Sequence, residues 1–182
     1  IVGGGGFIGT HTCLTLLNSN HKLVIVDNFS NSSPTALERV KELAFLEENN
    51  KNLEIKKGDI RDENFLESIF KHYRNLGNPI QAVVHFAGLK SVKQSIENPL
   101  LYWDINVIGT HTLVRVMEKN NCKTLVFSSS ATIYGSQNKI PIPEKAPIKP
   151  LNPYGRTKAA IEKLLLDIAC CKDNNEVIEK SN

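Results

Sequence analysis

The chain has 182 residues, 41% of them hydrophobic and 23% charged, a composition that sets a globular domain with one sizeable core as the expectation. A net charge of +3, with lysines dispersed among acids, speaks against a nucleic-acid or membrane-surface partner. No apolar run approaches the roughly 20 residues of a membrane span, no charged-then-apolar leader opens the sequence, and the four cysteines form no Cys-x-x-Cys pair, so a reduced, cytoplasmic setting is expected.

Ile1 to Gly3 reads as a short strand that begins inside an element, so a clipped first strand is expected. Gly3, Gly6 and Gly9 then give Gly-x-x-Gly-x-x-Gly at the start of a helix beginning near Gly6. Small residues there let the backbone approach a pyrophosphate, and the helix N-terminus supplies amide donors and the positive dipole end. A tight glycine turn without a ligand would look the same; the order strand, glycines, helix favours nucleotide binding. A second strand, Lys22 to Asp27, ends on a carboxylate eighteen residues beyond Gly9. There it would accept hydrogen bonds from the adenosine ribose and repel a 2'-phosphate, favouring NAD over NADP. Asp27-Asn28 also reads as a turn, but its position relative to the glycines makes the cofactor reading the stronger one.

A helix follows from Pro34, with Ser33 as its cap, and a third strand runs from Leu53 to Lys57. Gly58-Asp59-Ile60 comes next, where a carboxylate and backbone could meet an adenine amino group, or an aspartate could simply cap the loop. A helix from Glu63 leads to the fourth strand, Ala82 to Phe86. The small residues of Phe86-Ala87-Gly88 allow close passage by a cofactor, as they would any turn. Asn98 precedes Pro99 at the start of a long helix to about Asn120, and a fifth strand is expected from Thr124 to Ser128. The proline-rich stretch Ile140 to Pro153 reads as a surface loop over the strand ends, followed by a helix from Asn152 to about Cys171 and a polar stretch.

Apolar runs alternating with helical periodicity predict an α/β fold: a doubly wound parallel sheet of Rossmann type, truncated at both ends. Residues 1–173 are expected to be an incomplete NAD-binding domain, with 174–182 a polar tail. Both long helices carry more apolar residues than one sheet-facing stripe requires, among them Leu100, Leu101 and Trp103 on the first, and Leu164, Leu165 and Leu166 on the second. That excess fits either a well-buried core or a subunit interface.

Downstream of the run Ser128, Ser129 and Ser130 lie Tyr154 and Lys158, four residues apart. On a helix they share one face, where the ammonium can stabilise a phenolate and make the tyrosine a proton-transfer group, and Ser130 could hold a substrate oxygen; taken alone, such a pair also occurs by chance on many surface helices. The five histidines show no metal-ligand spacing, and His85, in an apolar strand, reads as a core residue. Neither a Gly-x-Ser-x-Gly elbow nor a Walker-type Gly-Lys-Ser is present.

With the glycines, Asp27, the serine run and Tyr154/Lys158 in this order, the chain resembles the extended short-chain dehydrogenases/reductases. Within them, the strings His85-Phe-Ala-Gly-Leu-Lys90-Ser-Val92, Phe127-Ser-Ser-Ser-Ala-Thr-Ile-Tyr-Gly135 and Pro153-Tyr-Gly-Arg-Thr-Lys158 resemble the UDP-glucose 4-epimerases. The resemblance covers Ile1 to about Asp173, which corresponds to the N-terminal half of that family's chain, so the half that grips UDP is expected to be absent from these residues. It implies NAD as cofactor and a UDP-sugar as substrate. Tyr154 would take the C4 hydroxyl proton while hydride passes to NAD, and the 4-keto sugar would turn over and be reduced on its other face. By the same resemblance Lys158 binds the nicotinamide ribose and Ser130 the C4 oxygen. Phe7 and Ile8 sit among the pyrophosphate-binding glycines, Lys90 lies near the pyrophosphate, and Asn28, Asn31 and Ser32 add contacts around the adenosine. Ala131 and Thr132 stand where sugar-nucleotide 4,6-dehydratases carry an Asp-Glu pair, which favours epimerisation over loss of water. A homodimer through the helices starting at Pro99 and Asn152 is implied for the full-length protein. Epimerisation of another UDP-sugar, or a non-catalytic NAD-binding module, are the alternatives, and the 182-residue piece alone is expected to be inactive.

Overall fold

The computed structural model describes residues 1–45, 52–137 and 139–179. The chain divides into two compact units, Ile1–Gly88 with Ile108–Ser128, and Leu89–Val107 with Ser129–Asn182.

The first unit is the sheet with its helices. β1 (Leu23–Asp27) pairs in parallel with β2 (Leu53–Lys57), and β3 (Ala82–His85) pairs in parallel with β4 (Thr124–Phe127). The two pairs are joined at Val2, which bridges Val26 on one side and His85 on the other. Ile1 to Gly3 is therefore a single bridging residue and not the short strand expected, although its backbone continues the ladder: Gly3 donates to Val26 and Phe86 donates to Val2. α1 (Phe7–Asn18) and α2 (Pro34–Leu43) cover one face. Cys13 and Leu17 meet Ile25, Leu37, Val40 and Leu53 there. α3 (Glu63–Asn75) covers the other face, where Leu66, Ile69 and Phe70 pack with Val26, Val83, Leu113 and Val116. Adjacent residues Ile25 and Val26 thus enter opposite cores, as the period of two in a strand requires. The sheet is doubly wound.

The second unit begins after Gly88 with α4 (Val92–Glu97), a helix not among the expected elements. Its signal was present: Ser91-x-x-Gln94 is a capping pattern, and the Ser91 hydroxyl accepts from the Gln94 amide. α5 (Pro99–Tyr102) starts where expected, but the Asn98 side chain makes no cap, because Asn98 also terminates α4 with φ −134° and ψ 63°. Ser33, by contrast, caps α2 through the Thr35 amide. After α5 the helix widens into a π-helical turn, Trp103–Ile108, and resumes as α6 (Gly109–Lys119), whose inner face belongs to the first unit. A 3-10 turn, Ala131–Tyr134, and α7 (Pro153–Glu179) complete the unit; α4, α5 and the turn all pack on α7. α7 runs eight residues past the expected end at Cys171, to Glu179. Its polar end contains neither glycine nor proline to stop it.

Candidate active site

The two units hold different parts of the predicted site. In the first unit, the chain leaves Val2 through Gly3 at φ +76°, and a side chain there would lie 2.4 Å from the Ala87 amide nitrogen. Only glycine satisfies both the left-handed backbone and the close approach of Phe86-Ala87. Gly9 is required for packing as well, since a Cβ would sit 2.5 Å from the Gly3 carbonyl. Gly6 differs. It is the N-cap of α1, and a Cβ would meet nothing nearer than the Gly3 oxygen at 3.6 Å. α1 has no side-chain cap and no acid in its first turn, and no bond to an acceptor in the protein is made by the amides of Phe7, Ile8 and Gly9 among the described residues. Phe7 and Ile8 are exposed. A helix N-terminus with open donors beneath a glycine is a fitting cradle for a pyrophosphate, so the residues suit a dinucleotide.

Asp27 is buried at the end of β1, and much of its hydrogen-bonding capacity is used internally. Its Oδ2 accepts from the Gly5 amide at 2.8 Å; its Oδ1 accepts from the Phe29 amide at 2.8 Å and from the Ser32 hydroxyl at 2.9 Å. The carboxylate therefore locks the glycine loop to the β1 end. One lone pair on Oδ2 is left for a ribose hydroxyl, since a carboxylate offers about four acceptor sites. Ser32 is turned toward Asp27, Asn28 accepts from the Ser30 amide at 3.0 Å, and Asn31 is exposed. Asp59 is gripped by Arg61, whose Nε lies 2.9 Å from Oδ1 and whose Nη2 lies 2.7 Å from Oδ2. That guanidinium, set against partial burial, holds the Asp59 carboxyl below its usual range, with the Asn28 side chain adding to the effect. Ile60 points its side chain into the core. It presents backbone, not side chain, to any ligand.

His85, the residue read as a core histidine, is buried and meets the Thr110 hydroxyl through Nε2 at 2.8 Å. Among the described residues no group of His, Cys, Asp and Glu is placed to hold a metal ion.

The second unit carries Lys90, Ser130, Tyr154 and Lys158. Tyr154 and Lys158 are both buried, on the first turns of α7. The Tyr154 ring stands edge-on to Tyr102 of α5, centroids 6.5 Å apart at 79°. Burial pulls the Lys158 ammonium down from its usual 10.5 to about 8. Ser130 is the N-cap of the 3-10 turn; its Oγ accepts from the Thr132 amide at 3.3 Å and from the Thr132 hydroxyl at 2.9 Å. Gly155, the residue after Tyr154, brings α7 against that turn: a Cβ would be 2.9 Å from the Thr132 carbonyl oxygen.

Two residues outside the sequence reading complete the arrangement. Asn106, on the π-helical turn, is 2% exposed and clamps the Leu89 peptide from both sides, accepting from its amide at 2.8 Å and donating to its carbonyl at 3.0 Å. The same amide group donates to the Thr157 hydroxyl at 3.2 Å, and Thr157 donates to the Tyr154 carbonyl at 2.7 Å. A π-helical turn inserts an extra residue, which rotates Asn106 inward. The tether runs from the segment bearing Lys90 to the turn bearing Tyr154. Nothing in the sequence alone marked Asn106 apart from the nearby Asp104, or Thr157 apart from its neighbours in the motif.

Tyr154 and Lys158 are thus buried one helical turn apart on α7, and the glycine loop is held to the β1 end by Asp27. Known proteins similar to the chain are as follows. The chain is 48% identical over 168 residues to UDP-glucose 4-epimerase 2 of Arabidopsis thaliana, an overlap of 92% of this chain and 46% of that one. The UDP-glucose 4-epimerase of Bifidobacterium longum, solved with NAD+ and UDP, superposes with a TM-score of 0.85 at 42% identity, over 93% of this chain and 48% of that one. The Stenotrophomonas maltophila enzyme, solved with NAD and formylated UDP-arabinopyranose, gives 0.86 at 38%, over 94% and 48%. The chain spans about half the length of the curated relatives it matches. Residues 1–174 match the family model described as GDP-mannose 4,6 dehydratase, and the chain belongs to that family.

Proposed function

We propose that the whole protein is an NAD-dependent UDP-glucose 4-epimerase that interconverts UDP-galactose and UDP-glucose in the cytoplasm. The observation that carries this reading, against dehydration, is at the serine turn. Ala131 and Thr132 put no carboxylate beside Ser130, and the Thr132 hydroxyl is bonded to Ser130 instead. Elimination of water from the sugar needs an acid and a base beyond the tyrosine; epimerisation at one carbon does not.

The α1 N-terminus and Gly6 would hold the cofactor pyrophosphate, and the remaining lone pair of Asp27 an adenosine ribose hydroxyl. When bound, NAD supplies reversible hydride acceptance at the sugar C4. Tyr154 takes the proton from the C4 hydroxyl and later returns it. Lys158 keeps a positive charge one helical turn from that phenol, and Ser130 donates to the C4 oxygen at the keto stage. The edge of Tyr102 restrains the Tyr154 ring, and the Asn106–Thr157 tether fixes the turn that carries it.

The test is Tyr154→Phe in the full-length protein. Turnover of UDP-galactose should fall by roughly a hundredfold or more with the circular dichroism spectrum unchanged. Near-normal turnover refutes the assignment. The formylated UDP-arabinopyranose bound to the Stenotrophomonas neighbour favours a second reading, in which the substrate is another UDP-sugar. Relative kcat/KM on UDP-galactose and on a UDP-pentose decides between them.

Within the same proposal the full-length protein is a homodimer. Leu100, Leu101 and Trp103 on the helix from Pro99, and Leu166 on α7, are exposed large apolar side chains that a second copy would cover. A monomer by analytical ultracentrifugation excludes this. No helix among the described residues is long and apolar enough to cross a membrane.

A further inference from the structure

We infer that Thr132 is a positioning residue that sets the hydrogen-bond polarity of Ser130, making Ser130 a donor only. The inference rests on the epimerase reading above. A serine hydroxyl has one hydrogen and two lone pairs. Both lone pairs of Ser130 face donors on Thr132: the hydroxyl at 2.9 Å and the amide at 3.3 Å. With the Thr132 hydroxyl as the donor of that pair, the Ser130 hydrogen has no other acceptor among the bonds of the described residues. What Ser130 can still offer a ligand is that hydrogen.

Thr132 is well held for this task. The 3-10 turn is closed by the Ile133 amide on the Ser130 carbonyl at 3.2 Å and by the Gly135 amide on the Thr132 carbonyl at 3.3 Å. Ile133 is buried, and its carbonyl accepts from Lys149 at 2.9 Å. The turn of α7 that carries Tyr154 rests on the Thr132 carbonyl at Gly155, the one residue type that fits there. Thr132 therefore sits between the serine and the tyrosine helix.

The consequence is chemical. During epimerisation the substrate oxygen is first a hydroxyl and then a carbonyl. A serine with a free lone pair would accept the sugar hydroxyl's proton and hold it away from the tyrosine. A serine whose lone pairs are filled cannot. The C4 hydroxyl must then aim its proton at Tyr154. As that O–H bond breaks, the proton would pass to the Tyr154 phenolate oxygen and the oxygen electron pair would form the C4 carbonyl, with a bound NAD as the oxidant that takes the C4 hydride. Ser130 donates to the oxygen throughout, most strongly once it is a carbonyl.

The experiment is a double-mutant cycle in the full-length protein with UDP-galactose. Thr132→Val keeps the shape and the amide but removes the hydroxyl. It should lower kcat about tenfold with KM within about twofold of wild type, and Thr132→Ser should restore kcat to within about twofold. In a Ser130→Ala background, Thr132→Val should have no further effect on kcat, because there is no hydroxyl left to orient. A merely structural role for Thr132 predicts the same tenfold loss in both backgrounds, and that result overturns the inference. So does a Thr132→Val enzyme with full kcat. Thr132→Ala repeats the cycle without the β-branch, in case valine disturbs the turn. A wild-type protein without epimerase turnover sinks the functional reading itself, and the polarity assignment falls with it.

Discussion

The glycine loop of the first unit and the tyrosine helix of the second are both proposed to meet a ligand, yet they are built on opposite plans. At the glycine loop the polar groups are largely spent inside the protein. Asp27 holds Gly5, Phe29 and Ser32, Asp59 is gripped by Arg61, and Gly3 and Gly9 are dictated by neighbouring backbone. What remains for a ligand is one lone pair of Asp27 and the backbone amides at the start of α1. At the tyrosine helix the groups proposed to meet a ligand are side chains, and the supporting bonds come from a second set of residues, Thr132, Thr157 and Asn106. The contrast teaches that most substitutions in the first region should register as lost fold, and most in the second as lost chemistry.

The largest effect should come from Gly3→Ala. The added methyl meets the Ala87 backbone at 2.4 Å and the residue must adopt φ +76°, so neither a rotamer change nor a small shift relieves it. A stability loss of about 4 kcal/mol or more is expected in urea denaturation. A midpoint within error of wild type would show that the loop relaxes freely, and the contrast between the regions would lose its basis.

Lys158 probes the second region by a different route. Its folded-state value of about 8 lies below the ordinary 10.5, because burial disfavours the charge. Below about pH 8 the lysine is protonated in both folded and unfolded chains, so the whole cost of burying the charge, roughly 3 kcal/mol, is present. As pH rises from about 8 to about 10.5 the folded state releases its proton first, the unfolded chain binds more protons, and stability rises. Lys158→Met removes the charge while keeping the length. The variant should be inactive yet more stable than wild type near neutral pH, with the advantage vanishing by about pH 10. Urea midpoints measured at both pH values check it; a gap independent of pH contradicts the buried-charge account.

Much of this was legible in the residues, and for identifiable reasons. β2 runs from Leu53 to Lys57 as read, and β1, β3 and β4 fall within one residue of expectation: β1 carries the continuous apolar run Leu23-Val-Ile-Val26, whereas β2 alternates Leu53-Glu-Ile-Lys56, and each is followed by turn residues. Tyr154, Lys158 and Ser130 are singled out by local spacing and order along the chain, and their roles are proposed on that basis. Less accessible were features in which a residue serves its neighbours. The π-helical turn that directs Asn106 inward has no sequence signature comparable to a cap or a glycine. The commitment of Asp27 to the Gly5 amide depends on bringing together positions 22 residues apart. The capping of Asn98 failed because one residue cannot both end α4 and cap α5, a conflict visible only when both helices are known.

The smallest stability effect, and the sharpest division between the two plans, is expected at Gly6. Its φ of −76° and ψ of 172° suit any residue, and an alanine Cβ would make only ordinary contact, at 3.6 Å. Gly6→Ala should therefore leave the urea midpoint within about 0.5 kcal/mol of wild type, unlike the same substitution three residues earlier. Its cost should appear on the ligand instead. A methyl group over the open amides of α1 would hold a pyrophosphate off the helix N-terminus, weakening NAD binding by roughly tenfold, which is about 1.4 kcal/mol. Titration of the full-length protein with NAD reads this directly. If Gly6→Ala binds NAD as wild type does, the backbone cradle is not where the pyrophosphate sits. If it unfolds the protein, Gly6 belongs with Gly3 among the residues that the fold itself demands.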